Sequence, residues 1–245
     1  AEAAGFRPCR RCRPDTAPGT PAWQGAPATV ARGLRLIRDG ALDDGGLDAF
    51  AARLGLGARR VRRLFVTHVG AAPSDIARLR RVHFARTLLD DGSLRLTDIA
   101  FASGFQSVRQ FNHAFRQTFR MPPRSLRGRA ARTDDDQVLE MRLSFRPPLD
   151  HVWLLELLAG RAAPGVEAVV DGEYRRTIAS GDARGWMTVR RSTDPGARGH
   201  ALVVRVSAGL GAHMMRIASG VRRIFDLDAD PATIARALST DARMA

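Results

Sequence analysis

The polar side chains that follow Ser107 have the types and spacing needed to read the edges of DNA bases. They lie on the side of a predicted helix opposite an apolar stripe, in which Phe111, Phe115 and Phe119 recur every four residues. Arginine can donate two hydrogen bonds to guanine, and glutamine or asparagine can pair in the same way with adenine. The polar face comprises Arg109, Gln110, Asn112, His113, Arg116 and Gln117. A solvated helix surface without a ligand is the alternative interpretation.

A shorter helix and a tight turn must position this polar helix. Thr97 and Asp98 are expected to cap the shorter helix at its start, and Ile99 begins its apolar part. Gly104 supplies the left-handed residue that ends it. Residues 96–126 therefore predict a helix-turn-helix whose second helix enters the major groove of DNA.

The same pattern occurs about fifty residues earlier in the chain. Residues 51–56 parallel residues 100–105, and residues 61–73 parallel residues 111–123. Such an internal repeat predicts two copies of one structural unit, so the first copy should also contain a recognition helix.

Two further helices complete this all-α half. Residues 74–89 are predicted to form one long helix between the copies, and residues 30–39 a helix before them. The apolar side of the long helix is expected to consist of Ile76, Leu79, Val82, Ala85, Leu88 and Leu89. That of the earlier helix is expected to consist of Val30, Leu34 and Ile37, with Gly40 as its stop.

Two helix-turn-helix units joined by a helix are the plan of the AraC/XylS family of bacterial transcription regulators, which this stretch resembles over about 100 residues. The resemblance is carried by Gly104 and Phe105 in the turn, by Phe111 and Phe115 in the stripe, and by the closing sequence MPPRSLR. It implies base-reading positions at Arg59, Arg62, Arg63, Val108, Arg109, Gln110 and His113. Val108 could contact only a thymine methyl group. Residues next to these positions are expected to contact the DNA phosphate backbone. The full set of candidate DNA-binding residues is therefore Arg59, Arg60, Arg62, Arg63, Ser107, Val108, Arg109, Gln110, Asn112, His113 and Arg116.

The charge of the chain is concentrated in its first half. The net charge is +14; residues 1–132 hold 24 arginines and 10 acidic residues, whereas residues 133–245 hold 15 of each. Double-stranded DNA is therefore the expected partner of the first half, with RNA polymerase left open as a second partner. The sequence has no apolar run long enough to span a membrane and no signal-peptide core, so we expect a cytoplasmic protein.

Two cysteines near the start lie in a Cys-x-x-Cys motif. The sequence FRPCRRCRPD resembles the end of the zinc domain of adaptive-response proteins of the Ada type, which repair methylated DNA phosphates. In that family this motif supplies two of four zinc ligands. A tetrahedral structural zinc needs four donors, and no further cysteine is present. We therefore expect Cys9 and Cys12 to be half of an unoccupied zinc site, with no cofactor in this chain and zinc only in a longer parent protein.

The hydrophobic periodicity changes to two after residue 137. Strands are expected at 141–145, 166–170, 174–178, 185–191 and 201–207, with Asp171 and Gly172 forming a hairpin turn. Helices are expected at 149–158, 212–225 and 232–238. This pattern predicts an α+β domain, an antiparallel sheet with its helices on one face.

The second half resembles the amino-terminal domain of the inducible 3-methyladenine DNA glycosylases of the AlkA type. The matching phrases are FRPPLDHVWLLELLAGRAAPGVEAV, GEYRRT, VSAGL and RRIFDLDADP. The resemblance implies a fold like half of the TATA-binding protein and no catalytic residue. We therefore expect this chain alone not to be an enzyme. We expect a longer parent protein to be a DNA glycosylase, and whether that parent also has a methyltransferase domain is left open.

The predicted organisation is an all-α tandem helix-turn-helix domain followed by an α+β antiparallel-sheet domain. The expected parts are a remnant of a zinc domain at 1–28, an AraC-type domain at 29–128, a linker at 129–139 and an AlkA-type domain at 140–240. The predicted function is sequence-specific regulation of transcription in the alkylation response, by a monomer. The alternative is a one-component regulator whose α+β domain senses a small effector. Removing residues 133–245 is expected to change DNA affinity little, since that half is neutral.

Overall fold

The computed structural model describes residues 26–43, 45–91, 94–126, 137–194 and 200–240. Contacts divide the chain into two compact units, Ala1–Arg80 and Arg81–Ala245. Cys9, Cys12 and most of the predicted linker lie outside the described residues.

The first unit is a small helical assembly built on aromatic packing. Its helices are α1 (Ala26–Arg38), α2 (Leu47–Arg53), α3 (Ala58–Val69) and the first part of α4 (Pro73–Asp91). The rings of Phe50 and Phe65 meet edge to face with their centroids 6.0 Å apart, and Val30, Ile37 and Val61 are buried around them. This core fixes α3 because two of its residues, one turn apart, are buried in it.

Helix α1 comes very close to α3 at Gly33. A Cβ atom on Gly33 would lie 2.6 Å from Cζ of Phe65, so only a glycine fits without movement. The buried stripe of α1 therefore runs through Val30, Gly33 and Ile37. Leu34, which the sequence predicted to be in the core, is 37% exposed. That prediction was wrong because apolarity alone does not reveal an approach that requires a glycine.

The second unit contains the other helix-turn-helix copy. Helix α5 (Leu96–Ala102) and helix α6 (Val108–Phe119) are followed by a short 3₁₀ helix, Pro123–Leu126. Val82, Leu88 and Leu89 of α4 are buried in the same core as predicted, whereas Leu79, earlier in α4, is 46% exposed. Leu79 was therefore wrongly assigned to the buried side of this helix.

The start of α5 also differs from the prediction. Arg95 occupies the N-cap position without a side-chain cap bond, and Leu96 is already helical. Thr97 and Asp98 lie inside the first turn, where the threonine hydroxyl donates to the carboxylate at 3.4 Å. Since a cap residue must precede the first helical residue, the predicted capping pair was wrong by two positions.

Five strands between Val138 and Ser207 form one antiparallel sheet. The strands are β1 (Val138–Ser144), β2 (Glu167–Val170), β3 (Glu173–Ser180), β4 (Ala183–Arg191) and β5 (Ala201–Ser207), in the order β1-β5-β4-β3-β2. Asp171 and Gly172 join β2 to β3 with φ of 52° and 73°, the left-handed pair that a two-residue type I′ hairpin requires. The predicted hairpin is therefore confirmed.

Helices cover one face of this sheet. They are α7 (His151–Gly160) and α8 (Met214–Ile224), and a 3₁₀ helix, Ala208–His213, leads into α8. A third helix, α9 (Pro231–Leu238), follows in the chain and buries no residue. Met141, Tyr174 and Val204 point from the sheet into a core that also contains residues of α7 and α8. The predicted α+β class is confirmed. Among the described residues no helix is long and apolar enough to cross a membrane.

Candidate nucleic-acid interface

Helix α3 presents an exposed row of guanidinium groups. Arg59, Arg62 and Arg63 lie on one helical face because they are three or four residues apart, and Arg60 flanks them. All four are exposed, while Val61 on the opposite side is buried. The structure therefore brings together all four arginines predicted for the first recognition helix.

Helix α6 presents a more varied face with the same spacing. Arg109, His113 and Arg116 share one exposed face, Gln110 is exposed beside them and Asn112 is half-buried. The two helices have the same length of twelve residues and begin fifty positions apart. The repeat predicted from the sequence is therefore a repeat of structure, with arginines on α3 and mixed donors and acceptors on α6.

The first residues of α6 have structural roles as well. The Ser107 hydroxyl accepts a hydrogen bond from the Gln110 amide at 3.2 Å and caps the helix. Val108 is half-buried and packs against the core of the second unit. Two members of the predicted DNA-binding set therefore also stabilise the fold: Ser107 as a helix cap and Val108 by packing against the core.

A continuous aromatic stack anchors α6 from behind. The centroids of Phe111 and Phe115 are 5.6 Å apart, those of Phe115 and Phe119 are 4.7 Å apart, and Phe105 of the turn meets Phe111 at 5.5 Å. Phe111 and Phe115 are fully buried. Because this stripe is fixed, the opposite face of the helix has a defined orientation within its unit.

The arginines of the two recognition faces differ in their pairing from three arginines of the sheet domain. Arg142, Arg175 and Arg222 each form an ion pair with an acidic neighbour, at distances between 2.5 and 3.0 Å. Within the described part of the chain, no ion pair is formed by Arg59, Arg60, Arg62, Arg63, Arg109 or Arg116. Their positive charge is therefore available to an anionic partner such as DNA phosphate.

One exposed residue on the arginine face was missed by the sequence analysis. Val66 is 49% exposed and lies one turn after Arg62 and Arg63, at the position that Arg116 occupies in the second copy. An exposed valine on a polar face can contact a thymine methyl group. Aligning the two copies position by position would have found it.

An open groove lies on the uncovered face of the sheet. It has a volume of about 430 Å³, and its lining includes Trp186, Ala168 and Thr177. The charged groups along it pair with each other, Arg175 with Glu173 at 3.0 Å and Arg176 with Glu167 at 3.3 Å. Effector sensing stays a prediction, because it needs polar groups directed at a ligand.

The described residues contain no cluster of three or more potential metal ligands. Cys9 and Cys12, the predicted half of a zinc site, lie outside them. Zinc in a longer parent protein therefore stays a prediction as well.

Comparisons with known proteins agree with this two-part architecture. Residues 50–129 match the sequence profile of a helix-turn-helix domain, and residues 140–245 match that of the AlkA N-terminal domain. The chain is 39% identical, over 98% of its length and 48% of the relative's, to the "Probable bifunctional transcriptional activator/DNA repair enzyme AlkA" of Mycobacterium tuberculosis. It is 36% identical to DNA-3-methyladenine glycosylase 2 of Escherichia coli, over 39% of this chain and 33% of that protein.

The helical half has its own relatives. The HTH-type transcriptional regulator GlxA of Rhizobium meliloti is 39% identical over 34% of this chain and 25% of its own length. A crystal structure of an AraC-type transcriptional regulator from Chromobacterium violaceum is 28% identical over 42% of this chain and 93% of that chain, with a TM-score of 0.39.

The fold and the matched profiles define a class: this chain joins an AraC-type helix-turn-helix module to an AlkA N-terminal domain. It is homologous to the bifunctional transcriptional activator/DNA repair proteins of the AlkA type. The chain spans about half the length of the Mycobacterium relative.

Proposed function

We propose that this chain binds specific sequences of double-stranded DNA through α3 and α6, as the regulatory part of an alkylation-response protein. The observation that carries the proposal is the repeated recognition helix, with buried apolar residues on one side and, on the other, exposed polar side chains and arginines that form no ion pair within the described part of the chain. The relationship to a bifunctional activator and repair protein supports the link to alkylation damage.

The two helices divide the work of recognition. Four arginines on α3 favour phosphate neutralisation and guanine contacts, whereas Gln110, Asn112 and His113 on α6 offer both donors and acceptors to base edges. Affinity should therefore depend mainly on α3, and discrimination between sequences more on α6.

Selection from a random duplex library tests this proposal. Duplexes of about 30 base pairs are long enough to offer two successive major grooves, about 34 Å apart. The 245-residue chain should enrich one preferred sequence, and its affinity for the enriched duplex should exceed that for a scrambled duplex of the same composition by at least about a thousandfold. Equal affinity for both duplexes at every salt concentration would contradict sequence-specific binding.

Further aspects of the proposal concern partners and location. We propose that the chain acts as a monomer, since a single chain carries both recognition helices. RNA polymerase is proposed as a second partner because the Mycobacterium relative is described as a transcriptional activator. The cytoplasm is the proposed location, since chromosomal DNA is the proposed ligand. Sedimentation of the chain with and without the enriched duplex would show whether one chain or two bind each site.

A further inference from the structure

The turn of the second helix-turn-helix copy has side chains of α4 and α8 close to it, whereas no heavy atom of the described residues lies within 4 Å of the equivalent Cβ position in the first copy. Gly55 and Gly104 occupy the same position in the repeat, with φ of 70° and 79°. A Cβ atom on Gly55 would meet no described heavy atom within 4 Å. One on Gly104 would lie 3.3 Å from the Nε atom of Arg81 in α4 and 3.4 Å from the Cε atom of Met215 in α8. The methionine of the sheet domain therefore lies close to this turn, beside the arginine of α4.

The sequence of the two copies differs where this contact occurs. Arg53 and Ala102 are equivalent residues, each at the end of the helix before the turn. Arg53 is exposed, whereas Ala102 is only 1% exposed, and the next residue, Ser103, is fully buried. Helix α5 lies against the 3₁₀ helix Ala208–His213. A long charged side chain at position 102 could not be buried there without a large desolvation cost.

The buried residues of the second unit form one core rather than two. Ile99 of α5 and Phe111 of α6 belong to the same hydrophobic cluster as Val204 of the sheet and Met214 of α8. A shared core transmits displacement from one part to the other, because protein interiors are close-packed and deform little. The second recognition helix therefore cannot move freely with respect to the sheet domain while this core is intact.

We propose that the AlkA-type domain is a positioning partner of the second recognition helix, and that base reading by α6 requires the packing of α5 against the 3₁₀ helix and of Met215 beside the Gly104 turn. The inference rests on the proposed function, since α6 must read DNA for its position to matter. Hydrogen bonds to base edges tolerate only a few tenths of an ångström, so a small rotation of α6 would separate Arg109 and Gln110 from their targets. The neutral half of the chain then controls specificity without contacting DNA.

Ala102→Arg in the 245-residue chain tests the contact, with Phe101→Arg as a matched control. Both substitutions add the same charge to the same helix, but Phe101 is 47% exposed. Ala102→Arg should weaken binding of the enriched duplex about tenfold or more, as expected when base contacts of one helix are lost. Phe101→Arg should change affinity less than about threefold, since an exposed arginine alters only the electrostatic contribution. Equal effects of the two substitutions would overturn the proposal.

Met215→Ala is a second variant that removes the contact without adding a buried charge. Two reference variants assign each base pair of the enriched duplex to a helix. A base pair is read by α6 if discrimination at that position is lost in Gln110→Ala, and it is read by α3 if discrimination there is lost in Arg62→Ala. Met215→Ala should relax discrimination at the first group and leave the second group unchanged, a pattern that general destabilisation would not produce. Unchanged discrimination at both groups would show that the contact is dispensable.

Amide hydrogen exchange without DNA separates this inference from the proposed function. In Met215→Ala the amides of α5 and of the turn should exchange faster than in the unsubstituted chain, while those of α2 and α3 should not change. If the unsubstituted chain prefers no duplex, the proposed function fails and with it the claim about base reading. If α5 exchange does not change in Met215→Ala, the positioning contact itself is refuted, whatever the DNA result.

Discussion

The unpaired arginines of α3 lead to distinct expectations for each side chain. Replacing Arg62 or Arg63 by Ala should cost about 1–3 kcal/mol of binding free energy on the preferred duplex and less on a scrambled one, as expected for a guanine contact. Arg60→Ala should weaken both duplexes alike and reduce the salt slope by about one, as expected for a phosphate contact. Salt-titrated binding measures both effects. An identical loss on both duplexes for all three variants would rule out base reading by α3.

Buried His151 makes stability depend on pH. Burial lowers the pKa of His151, the positive charge of Arg191 lowers it further, and the ring stacks on Phe225 with centroids 6.2 Å apart. The folded-state pKa therefore lies below the unfolded-state value of about 6.5, and the folded protein favours the neutral ring. The contribution of this neutral ring to the free energy of unfolding is complete above about pH 6.5 and is lost as the pH falls through the folded-state pKa.

The variant His151→Phe keeps a ring against Phe225 and removes the titrating group. Between about pH 7.5 and pH 5, its midpoint of thermal unfolding should fall less than that of the unsubstituted chain. Differential scanning calorimetry at the two pH values gives the comparison. A parallel decrease in both proteins would assign the pH dependence to other groups.

Sequence analysis identified the anchoring residues of the site better than their neighbours. Phe111 and Phe115 were predicted to be buried because large aromatic residues at helical spacing leave few alternatives, and both are fully buried. Leu34 and Leu79 were assigned to the core by the same reasoning and are exposed. A leucine at the margin of a stripe can face either way, and only the position of the neighbouring helix decides which.

At the scale of a helix, the close approach of α1 to α3 makes glycine more favourable than alanine at position 33, against the usual helix propensities. Alanine is favoured over glycine in a helix by up to about 1 kcal/mol. Gly33→Ala should nevertheless destabilise the first unit, because its Cβ would lie 2.6 Å from Cζ of Phe65. Gly220→Ala in α8 is the matched control, since a Cβ there meets no described heavy atom within 4 Å, and it should stabilise. Urea unfolding monitored by circular dichroism measures both changes. A stabilised Gly33→Ala variant would show that Phe65 can move aside.

Element boundaries were predicted where local chemistry determines them. The Asp171 and Gly172 turn and the start of α6 after Ser107 were both placed correctly, because each depends on one side chain or on a backbone conformation that few residues adopt. The start of α5 was not, since Thr97 and Asp98 have the right composition for a cap but the N-cap is Arg95, two positions before Thr97, and the helix begins at Leu96. Packing of Leu96 against the core of the unit outweighs the weak preference for a polar cap.

At the scale of the whole molecule, the shared core of the second unit changes the expectation for truncation. The neutrality of residues 133–245 indicated that their removal would affect DNA binding little. Since α5 and α6 share buried residues with the sheet and α8, removal should instead expose apolar surface and impair recognition by α6. Binding of residues 1–132 to the enriched and scrambled duplexes measures the loss of discrimination.

Deletion of residues 231–245 is the matched control for that truncation. Helix α9 buries no residue, so its loss should leave both affinity and discrimination unchanged. If residues 1–132 bind and discriminate as well as the full 245-residue chain, the helical half is independent despite its shared core.

The internal repeat, the fold class and the face of each recognition helix were predictable because periodicity and self-similarity are properties of the sequence itself. Docking of the sheet domain was not predicted, because a contact such as that of α5 with the 3₁₀ helix Ala208–His213 leaves no periodic signal. A weaker signal was present, however. Ala102 replaces the arginine of the first copy, and such a loss of charge in one of two otherwise parallel segments is expected where that segment is covered.

The arginine face of α3 also limits how a cell could release this protein from DNA. The chain contains no lysine, so the cations on that face are guanidinium groups. Acetylation, which neutralises lysines, has no substrate among these side chains. Lysine acetylation therefore cannot weaken this half of the proposed interface. For the proposed DNA binding, the remaining means of release are competing ligands, ionic strength and a change in the orientation of the second recognition helix.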